Sequence, residues 1–382
     1  MTGTYVSPWE TEETAALGEV AATFFAKELV PHLARFDEQR CVDRDLWNKA
    51  GAIGLMCCSI PSEYGGGGGT FAHDAAVLLA QGRSGDTGFG LGVHSGIVAH
   101  YLLSYGSEEQ KLAWLPSMAN GDMVGAIAMT EPGAGSDLKA ITTRADKTDT
   151  GYVINGTKTF ISNGTSCDVL IVACKTDPAA GARGVSLLAV ETKDLAGFSS
   201  SRPLEKLGMH GQDTAELVFD NVQVPATALL GEEGRGFSML MNQLRQERLI
   251  IGLQAVGAME TALAETIRYT KDRQAFGAPL FDMQHTRFEL AECATLAHAG
   301  RVFIDSCIVR HLAGDLDTAT ASMAKWWLTE LQCQVIDRCL QLFGGYGYMK
   351  EYVISRLYAD ARVQKIYGGA NEVMKDVIAR SL

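Results

Sequence analysis

The sequence predicts an α+β protein with three consecutive domains, because helical and β-type segments are segregated along its 382 residues instead of alternating. Helical patterns fill residues 1–122, short β-type runs occupy residues 123–230, and long helical patterns return over residues 231–382. This length fits two or three domains of the usual size, about 150 residues each. The segregated order argues against the alternating strands and helices of a Rossmann sheet, and therefore against a nicotinamide enzyme.

Two helix-start signals support the helical N-terminal domain. The segment Ser7–Glu10 has the residue types of a capping box with a first-turn proline, and Ser107–Gln110 repeats the capping signature. Between them, the run of glycines Gly65–Gly69 predicts a loop.

Three short runs of β-type residues predict strands in the middle domain: Val169–Ala173, Val185–Val190 and Glu216–Phe219. Gly, Asn, Asp and Pro separate these runs. After residue 231, apolar residues recur at helical spacing and predict a long helix with one buried face, formed by Leu249, Leu253, Val256, Leu263 and Ile267.

Composition argues against several classes of function. Lys and Arg number 33 against 45 Asp and Glu, and the net charge of −12 disfavours binding to nucleic acid or to anionic lipid. The nine cysteines lack CxxC spacing, so we expect reduced thiols and neither a disulfide framework nor a zinc site. No uninterrupted apolar run approaches the ~20 residues of a membrane span. The run Ala75–Ala80 is about as long as such runs become.

The first residues have the composition of neither a secretory signal nor a transit peptide, because they are acidic and contain no arginine before Arg35. We therefore expect a cytoplasmic protein of a bacterium. A location in the mitochondrial matrix is compatible only if a transit peptide is absent from this chain.

Six motifs, in their order along the chain, carry a resemblance to a known family: MTEPGAGSDL at 129–138, FISNG at 160–164, QERL at 246–249, DRQAFG at 272–277, QLFGGYGYMKEY at 341–352 and IYGGANEVMK at 366–375. Together they resemble the acyl-CoA dehydrogenase family over essentially the whole chain, and its long-chain members most closely. The resemblance implies a C-terminal four-helix bundle, an FAD cofactor and a homotetramer built as a dimer of dimers. It also implies that electrons pass to an electron-transfer flavoprotein.

The first two motifs supply cofactor contacts that the resemblance implies. On their own, Thr130–Ser136 offer hydroxyls and amides in a glycine-permitted turn, which suits a planar heterocycle or phosphate, although a plain surface turn explains them equally well. The resemblance places Thr130 on the flavin ring and Ser136 against both flavin and thioester. Many relatives have Trp and Thr where this chain has Phe160 and Ser162, so we expect ring stacking with a smaller aromatic surface. The implied contacts are Ile127, Met129, Thr130, Gly135, Ser136, Phe160, Ile161 and Ser162.

A second group of implied contacts would reach the FAD of a neighbouring subunit. The Arg273 guanidinium suits a pyrophosphate because it forks and stays charged, although a solvated charge at a helix end also accounts for it. The glycines after Leu342 let backbone approach the cofactor, and they equally fit a helix C-cap. This group comprises Arg273, Phe276, Gln284, Gln341, Leu342, Gly344 and Gly345, and the last motif adds Ala370, Asn371 and Glu372.

The resemblance implies that Glu247 is the catalytic base. Many family members carry the base as Tyr-Glu-Gly in the C-terminal loop, which here reads Tyr367, Gly368 and Gly369, whereas long-chain and isovaleryl members carry it on a helix at the position of Glu247. At about 100° per residue, Glu247 lies nearly opposite the stripe that begins at Leu249, and no charged residue lies four positions away. The alternative is a carboxylate that stabilises a helix N-terminus. Beside apolar walls and a thioester, its pKa should rise toward the range of a general base.

The implied reaction converts a saturated acyl-CoA to the trans-2-enoyl-CoA: Glu247 removes the α proton, and the β hydrogen leaves as hydride to flavin N5. Hydrogen bonds from the Gly368 N–H and from a flavin ribityl hydroxyl stabilise the enolate oxygen. Tyr367 is expected beside the thioester, and Arg248 is expected to orient Glu247. The implied substrate contacts are Ser136, Arg245, Arg248, Tyr367, Gly368 and Gly369.

The acyl group and the fate of the electrons stay open at this point. His94–Val98 resembles the long-chain members in the helix that floors the pocket, where small residues leave depth for a medium- to long-chain acyl group, but branched chains and a sterol side chain also fit. Two other functions remain. One is an acyl-CoA oxidase on the same scaffold. The other is a non-catalytic acyl-CoA or flavin-binding scaffold, which Gly368 favours and Glu247 disfavours.

Overall fold

Helices form the first and last parts of the chain and strands form the middle part, so the predicted fold class is confirmed. The structure, a computed structural model, describes residues 5–85 and 88–382.

The N-terminal part of the described chain is helical. Its α-helices are α1 (Glu12–Phe24), α2 (Leu33–Gln39), α3 (Arg44–Ala52), α4 (Phe71–Arg83), α5 (Ala99–Tyr105) and α6 (Glu108–Ala119). A π-helical segment, Gly92–Val98, runs directly into α5. The glycine run Gly65–Gly69 is a loop before α4, as predicted.

One of the two predicted helix starts is wrong. Helix α1 begins at Glu12, where the Thr11 hydroxyl accepts from the Thr14 amide at 3.2 Å. The Ser7 hydroxyl instead donates to the buried carboxylate of Asp305 at 2.6 Å, so a tertiary contact replaces the expected cap. The second prediction is confirmed, because the Ser107 hydroxyl caps α6 in a capping box.

The middle part forms a mostly antiparallel sheet. Its strands are β1 (Gly125–Ala128), β2 (Arg144–Lys147), β3 (Gly151–Ser162), β4 (Val169–Lys175), β5 (Val185–Glu191), β6 (Phe198–Ser200), β7 (Thr214–Pro225) and β8 (Leu229–Leu230). Their order in the sheet is β6-β7-β3-β2-β4-β5-β8, and β1 pairs in parallel with β4. The three predicted strands are confirmed as β4, β5 and part of β7.

Strand β3 was missed by the sequence analysis although it is one of the two longest strands described. Its pairing with β7 shifts register twice, between Ile154 and Gly156 and again between Lys158 and Ile161. Each shift breaks the alternation of polar and apolar residues that identifies a strand. The second shift lies close to the end of the strand.

Long helices form the C-terminal part: α7 (Gly236–Asp272), α8 (Gln284–Leu312), α9 (Thr318–Leu342), α10 (Val353–Gln364) and α11 (Asn371–Ala379), with a short hairpin of β9 (Gln274–Ala275) and β10 (Ala278–Pro279) after α7. Helix α7 packs against α4, α8, α9 and α10. The predicted helical spacing is confirmed, since Leu249, Leu253 and Val256 have no exposed surface. The expectation of one buried face is wrong, because α7 has helices on several sides and every residue from Gln246 to Met259 is buried.

Among the described residues, one helix is long and apolar enough to cross a membrane by length and composition. It is α7, and 72% of its most apolar stretch is buried inside the protein. The core helix of a bundle has the same properties, so this finding is weak evidence for a membrane span.

Candidate active site

A cavity of about 580 Å³ lies where the three parts of the chain meet. Its walls come from the π-helical segment, the turn after β1, the end of β3, one face of α7, the loop after α10 and one face of α11. Most of the site residues expected from MTEPGAGSDL, FISNG, QERL and the loop after α10 line this cavity. These lining residues are Ile127, Met129, Thr130, Gly135, Ser136, Phe160, Ile161, Ser162, Glu247, Arg248, Tyr367, Gly368 and Gly369.

A buried ion pair holds the turn after β1 against β3. Glu131 accepts hydrogen bonds from the Thr143 amide at 2.9 Å and from Lys158 Nζ at 2.9 Å, and both side chains are almost fully buried. Lys158 Nζ also donates to the Met129 carbonyl at 3.0 Å. Burial alone raises the pKa of Glu131, but the Thr143 hydrogen bond and the Lys158 charge outweigh it and lower that pKa to about 2. The pair therefore fixes the backbone that precedes Thr130.

The turn and the end of β3 have the properties of a cradle for a planar cofactor. Phe160 has a left-handed backbone, with φ of 58°, and its side chain is 66% exposed on the cavity wall. Such a backbone is uncommon for a bulky residue and is concentrated at functional sites. A Cβ placed on Gly135 would meet no atom within 4 Å, so the turn leaves open space beside its backbone. An exposed aromatic face beside open backbone fits a flavin ring and its polar edge.

Glu247 lies on the cavity face of α7, and 4% of the residue is exposed. Its Oε1 atom accepts a hydrogen bond from the Tyr101 hydroxyl at 3.0 Å. Burial raises the pKa of Glu247 to about 7, although the Tyr101 hydrogen bond and the Arg248 charge oppose the shift. Helix α7 begins at Gly236, so Glu247 lies well beyond the first turn, and stabilisation of the helix N-terminus does not explain it.

Of the two arginines near Glu247, Arg248 lines the cavity as expected and Arg245 does not. Arg248 lines the cavity, but its Nη1 donates to the Ser322 hydroxyl at 3.1 Å, and it makes no hydrogen bond to Glu247 within the described chain. The expectation that Arg248 directly orients Glu247 is therefore wrong, and Arg248 acts on Glu247 through its charge. Arg245 donates to the Leu316 carbonyl at 3.2 Å and does not line the cavity. Two residues along a helix correspond to about 200°, which turns Arg245 away from the site.

The loop after α10 is fixed from α9. Lys325, with no exposed surface, donates from Nζ to the Gly369 carbonyl at 2.7 Å and to Asn371 Oδ1 at 2.9 Å. Asn371 Nδ2 donates in turn to the Thr329 hydroxyl at 3.1 Å. The backbone at Gly368 is left-handed, with φ of 63°, which favours glycine.

The expected cofactor contacts after Gly369 do not lie on the cavity of this chain. Asn371 is engaged with α9, and neither Ala370 nor Glu372 lines the cavity. Residues later in the chain line the cavity instead, because α11 begins at Asn371 and one of its faces is turned toward the cavity. These positions are Val373, Met374, Asp376, Val377 and Arg380.

The residues expected to reach a neighbouring subunit lie at one end of the helical bundle, outside the cavity of this chain. Arg273 ends α7 over the ring of Tyr346 at 5.7 Å, and Phe276 is 98% exposed with a left-handed backbone. Gln284 begins α8 at the same end, and Gln341, Leu342, Gly344 and Gly345 lie where α9 ends. Their arrangement is compatible with a shared site and equally with a solvated helix end.

Sequence reasoning missed four side chains that hold the site together. Glu131 lies within the first motif and Lys158 lies two residues before the second, so the motifs themselves pointed to this part of the chain. Tyr101 and Lys325 become neighbours of the site only through packing between helices distant in sequence, so no local pattern identified them.

Comparison with known proteins assigns all three parts of the chain to one family. The chain matches the N-terminal domain of acyl-CoA dehydrogenase over residues 11–122, the middle domain over 126–222 and the C-terminal domain over 234–382. It is 48% identical to the long-chain specific acyl-CoA dehydrogenase of Sus scrofa over 366 residues, which cover 95% of this chain and 85% of the relative.

Two solved structures extend the comparison. An acyl-CoA dehydrogenase from Geobacillus kaustophilus superposes with a TM-score of 0.96 at 45% identity, over 98% of this chain and 99% of that chain. A glutaryl-CoA dehydrogenase from Mycobacterium smegmatis, solved in complex with FADH2, superposes with a TM-score of 0.92 at 28% identity, over 98% and 95%. The chain therefore belongs to the acyl-CoA dehydrogenase family of flavoprotein oxidoreductases.

Proposed function

We propose that the chain, in a bacterial cytoplasm, oxidises a medium- to long-chain saturated acyl-CoA to the trans-2-enoyl-CoA and passes the electrons to an electron-transfer flavoprotein. The observation that carries the proposal is Glu247. A buried carboxylate with a pKa raised to about 7 lines the cavity that also contains the open turn at Gly135 and the exposed ring of Phe160.

Glu247 acts as the base that removes the α proton. A base with a pKa near the working pH combines a useful ionised fraction with sufficient proton affinity. The α proton next to a thioester is weakly acidic, so the developing enolate oxygen needs hydrogen bonds. The Gly368 N–H has no protein acceptor among the described residues and borders the same cavity, so it is free to donate to that oxygen. Arg248 adds positive charge beside the carboxylate.

The proposal assigns FAD to the cradle formed by the turn after β1 and the end of β3. Thr130, Gly135 and Ser136 would hold it along one side, and Phe160 would stack on its ring. When bound, FAD supplies the acceptor for the β hydrogen and its electron pair. The chain's part is to position the acyl chain so that its β carbon faces this cradle while the α carbon faces Glu247.

The acyl chain is proposed to be medium to long because one part of the cavity wall is apolar. Val93, Ile97, Phe237, Met241 and Leu244 line it. In the segment expected to floor the pocket, Ile97 lines the cavity, whereas His94 is buried against the Met118 carbonyl and the Gly125 amide. Gly96 contributes close packing, because a Cβ there would lie 2.4 Å from Ile250 Cδ1.

The proposed assembly is a homotetramer built as a dimer of dimers. It is supported by the residues at the end of the bundle, where Arg273 and the exposed ring of Phe276 lie away from the cavity of their own chain. In such an assembly these residues would complete the FAD site of the neighbouring subunit.

An anaerobic titration tests the proposed function. The FAD-loaded protein is mixed with acyl-CoA thioesters from butyryl- to stearoyl-CoA and with a branched and a sterol-derived thioester, and flavin bleaching is recorded. Bleaching that is strongest with the medium and long straight chains supports the proposal, and no bleaching with any thioester refutes it. Rapid reoxidation of the reduced protein by oxygen instead of by an electron-transfer flavoprotein would identify an oxidase.

A further inference from the structure

The phenol of Tyr101 meets the proposed base in a fully buried contact. Tyr101 lies on α5, has no exposed surface, and donates from its hydroxyl to Glu247 Oε1 at 3.0 Å. This is the one hydrogen bond that the Glu247 carboxylate makes to a side chain in the described parts of the chain. Its other oxygen, Oε2, is therefore left for the proton that the reaction removes.

Helix α5 and the π-helical segment before it are fastened to α7 on both sides of this contact. Gln246 Nε2 donates to the Gly96 carbonyl at 2.8 Å, and Gln243 Nε2 donates to the Ser104 hydroxyl at 2.9 Å. These bonds flank Tyr101 along its helix, so the phenol is held in a defined place relative to the carboxylate. A rigid support of this kind keeps a reacting group within the narrow range of productive geometry.

We propose that Tyr101 is a positioning residue for the dehydrogenation: its hydroxyl fixes Oε1 of Glu247, stabilises the ionised carboxylate and directs Oε2 toward the α proton. The proposal rests on the function proposed above for Glu247. Tyr101 does not touch the reacting carbon, since it does not line the cavity, and it acts through Glu247 alone.

The effect of losing the hydrogen bond between Tyr101 and Glu247 depends on the charged and titratable groups around these two residues. Helix α5 contributes Tyr105, whose ring centroid lies 6.2 Å from that of Tyr101, and α7 contributes the Arg248 charge. The loop after α10 contributes Tyr367, which lines the same cavity as Glu247 and whose pKa is raised by burial, and α9 contributes Lys325, on which the Arg248 charge acts.

Burial, followed by the Glu247 charge, raises the pKa of Tyr101 well above its ordinary value, so the phenol remains a donor. Burial is also the cause that raises the pKa of Glu247, and the Tyr101 hydrogen bond opposes it. Loss of the bond should raise that pKa further.

The test compares Tyr101→Phe with wild type in the anaerobic rate of flavin reduction by a saturating acyl-CoA, measured across pH. The midpoint of the rate profile should rise by about one pH unit, as expected when one hydrogen bond to a charged group is removed. The rate on the acidic side should fall about tenfold, and the alkaline plateau should stay within about threefold of wild type. Tyr105→Phe, one turn away and outside the cavity, should leave the midpoint unchanged.

A readout without turnover separates this proposal from the proposed function. Infrared difference spectra of the FAD-loaded protein follow the carbonyl stretch of the protonated Glu247 carboxyl across pH, with Glu247→Gln identifying the band. The band should persist to higher pH in Tyr101→Phe than in wild type or Tyr105→Phe. An unchanged or lowered midpoint in both measurements overturns the role of Tyr101, whereas absence of bleaching in wild type overturns the proposed function instead.

Discussion

Gly368 and Ile251 pack so closely that a side chain at position 368 would have to displace the end of the Ile251 side chain. A Cβ placed on Gly368 would lie 2.2 Å from Cδ1 of Ile251, one turn after Glu247 on α7. The helix that carries the proposed base and the loop that carries the glycine therefore face each other across the same part of the cavity. The carboxylate on α7 and the glycine in the loop therefore belong to the same packed arrangement of helix and loop.

Moving the base from the helix to the loop should restore part of the activity that Glu247→Gly loses. The variant combines Glu247→Gly, Gly368→Glu and Ile251→Ala, the last to remove the clash. Recovery should be partial, because a misplaced catalytic group costs about 100-fold in rate and the left-handed backbone at 368 disfavours a side chain by about 1–2 kcal/mol. Shorter acyl chains should be preferred, because the new side chain occupies space near the thioester.

The control for this prediction is Glu247→Gly with Ile251→Ala, which enlarges the cavity but supplies no carboxylate. Stopped-flow flavin reduction compares the two variants across pH. If both bind FAD and acyl-CoA and reduce flavin equally slowly, the loop and the helix do not address the same proton.

Glu247→Gln should stabilise the protein at neutral and alkaline pH. The ordinary pKa of 4.5 becomes about 7 in the folded protein, so the folded state binds a proton that the unfolded state has released between these values. The contribution of the protonated Glu247 to the free energy of unfolding is fully present below pH 4.5 and is lost as the pH rises to 7. The loss is about 1.4 kcal/mol per pH unit and about 3 kcal/mol in all. Denaturant unfolding of both FAD-loaded proteins should show a difference near zero at the acidic end that grows to this value by pH 8. A difference that is constant with pH contradicts the raised pKa.

Loss of Lys158 should loosen FAD as well as destabilise the fold. Lys158→Met leaves the buried Glu131 carboxylate without its cation, and breaking such a pair costs about 3–5 kcal/mol. The Met129 carbonyl loses its donor at the same time, so the turn that holds the cofactor is freed. Lys147→Met is the matched control, since its ion pair with Glu233 at 2.7 Å is largely exposed and contributes at most about 1 kcal/mol. Equal melting temperatures and equal FAD retention in the two variants would contradict the role of the buried pair.

Arg273→Ala should cause flavin loss on dilution, because the proposed shared site loses a forked donor to the FAD pyrophosphate and depends on the partner subunit. Arg268→Ala, five residues earlier in the chain and exposed in an ion pair with Glu265, should retain flavin like wild type. Fluorescence of released FAD is measured over a dilution series. Identical retention by both variants at every concentration would place Arg273 outside the cofactor site.

Sequence reasoning located what local patterns determine. The apolar stripe from Leu249 identified α7 because its period follows from the helix itself, and the motifs around Thr130 and Gly368 identified segments that line the cavity. Sequence reasoning failed where the rotation of a helix, or the packing between helices, determines which way a side chain points. Arg245 directly precedes the motif that contains Glu247 but faces away from the cavity, and Asn371 points into α9 because Lys325 is buried there. The support of Glu247 by α5 depends on a contact between residues 146 positions apart, which no local pattern contains.

The most direct test of Glu247 as the base is the anaerobic rate of flavin reduction in Glu247→Gln, measured with a saturating long-chain acyl-CoA after confirming that FAD and acyl-CoA still bind. The amide keeps the shape of the side chain and can still accept from Tyr101, but it cannot take the α proton. We expect a loss of at least about 100-fold, the range for removal of a positioned base. A rate within about tenfold of wild type would contradict the assignment of Glu247.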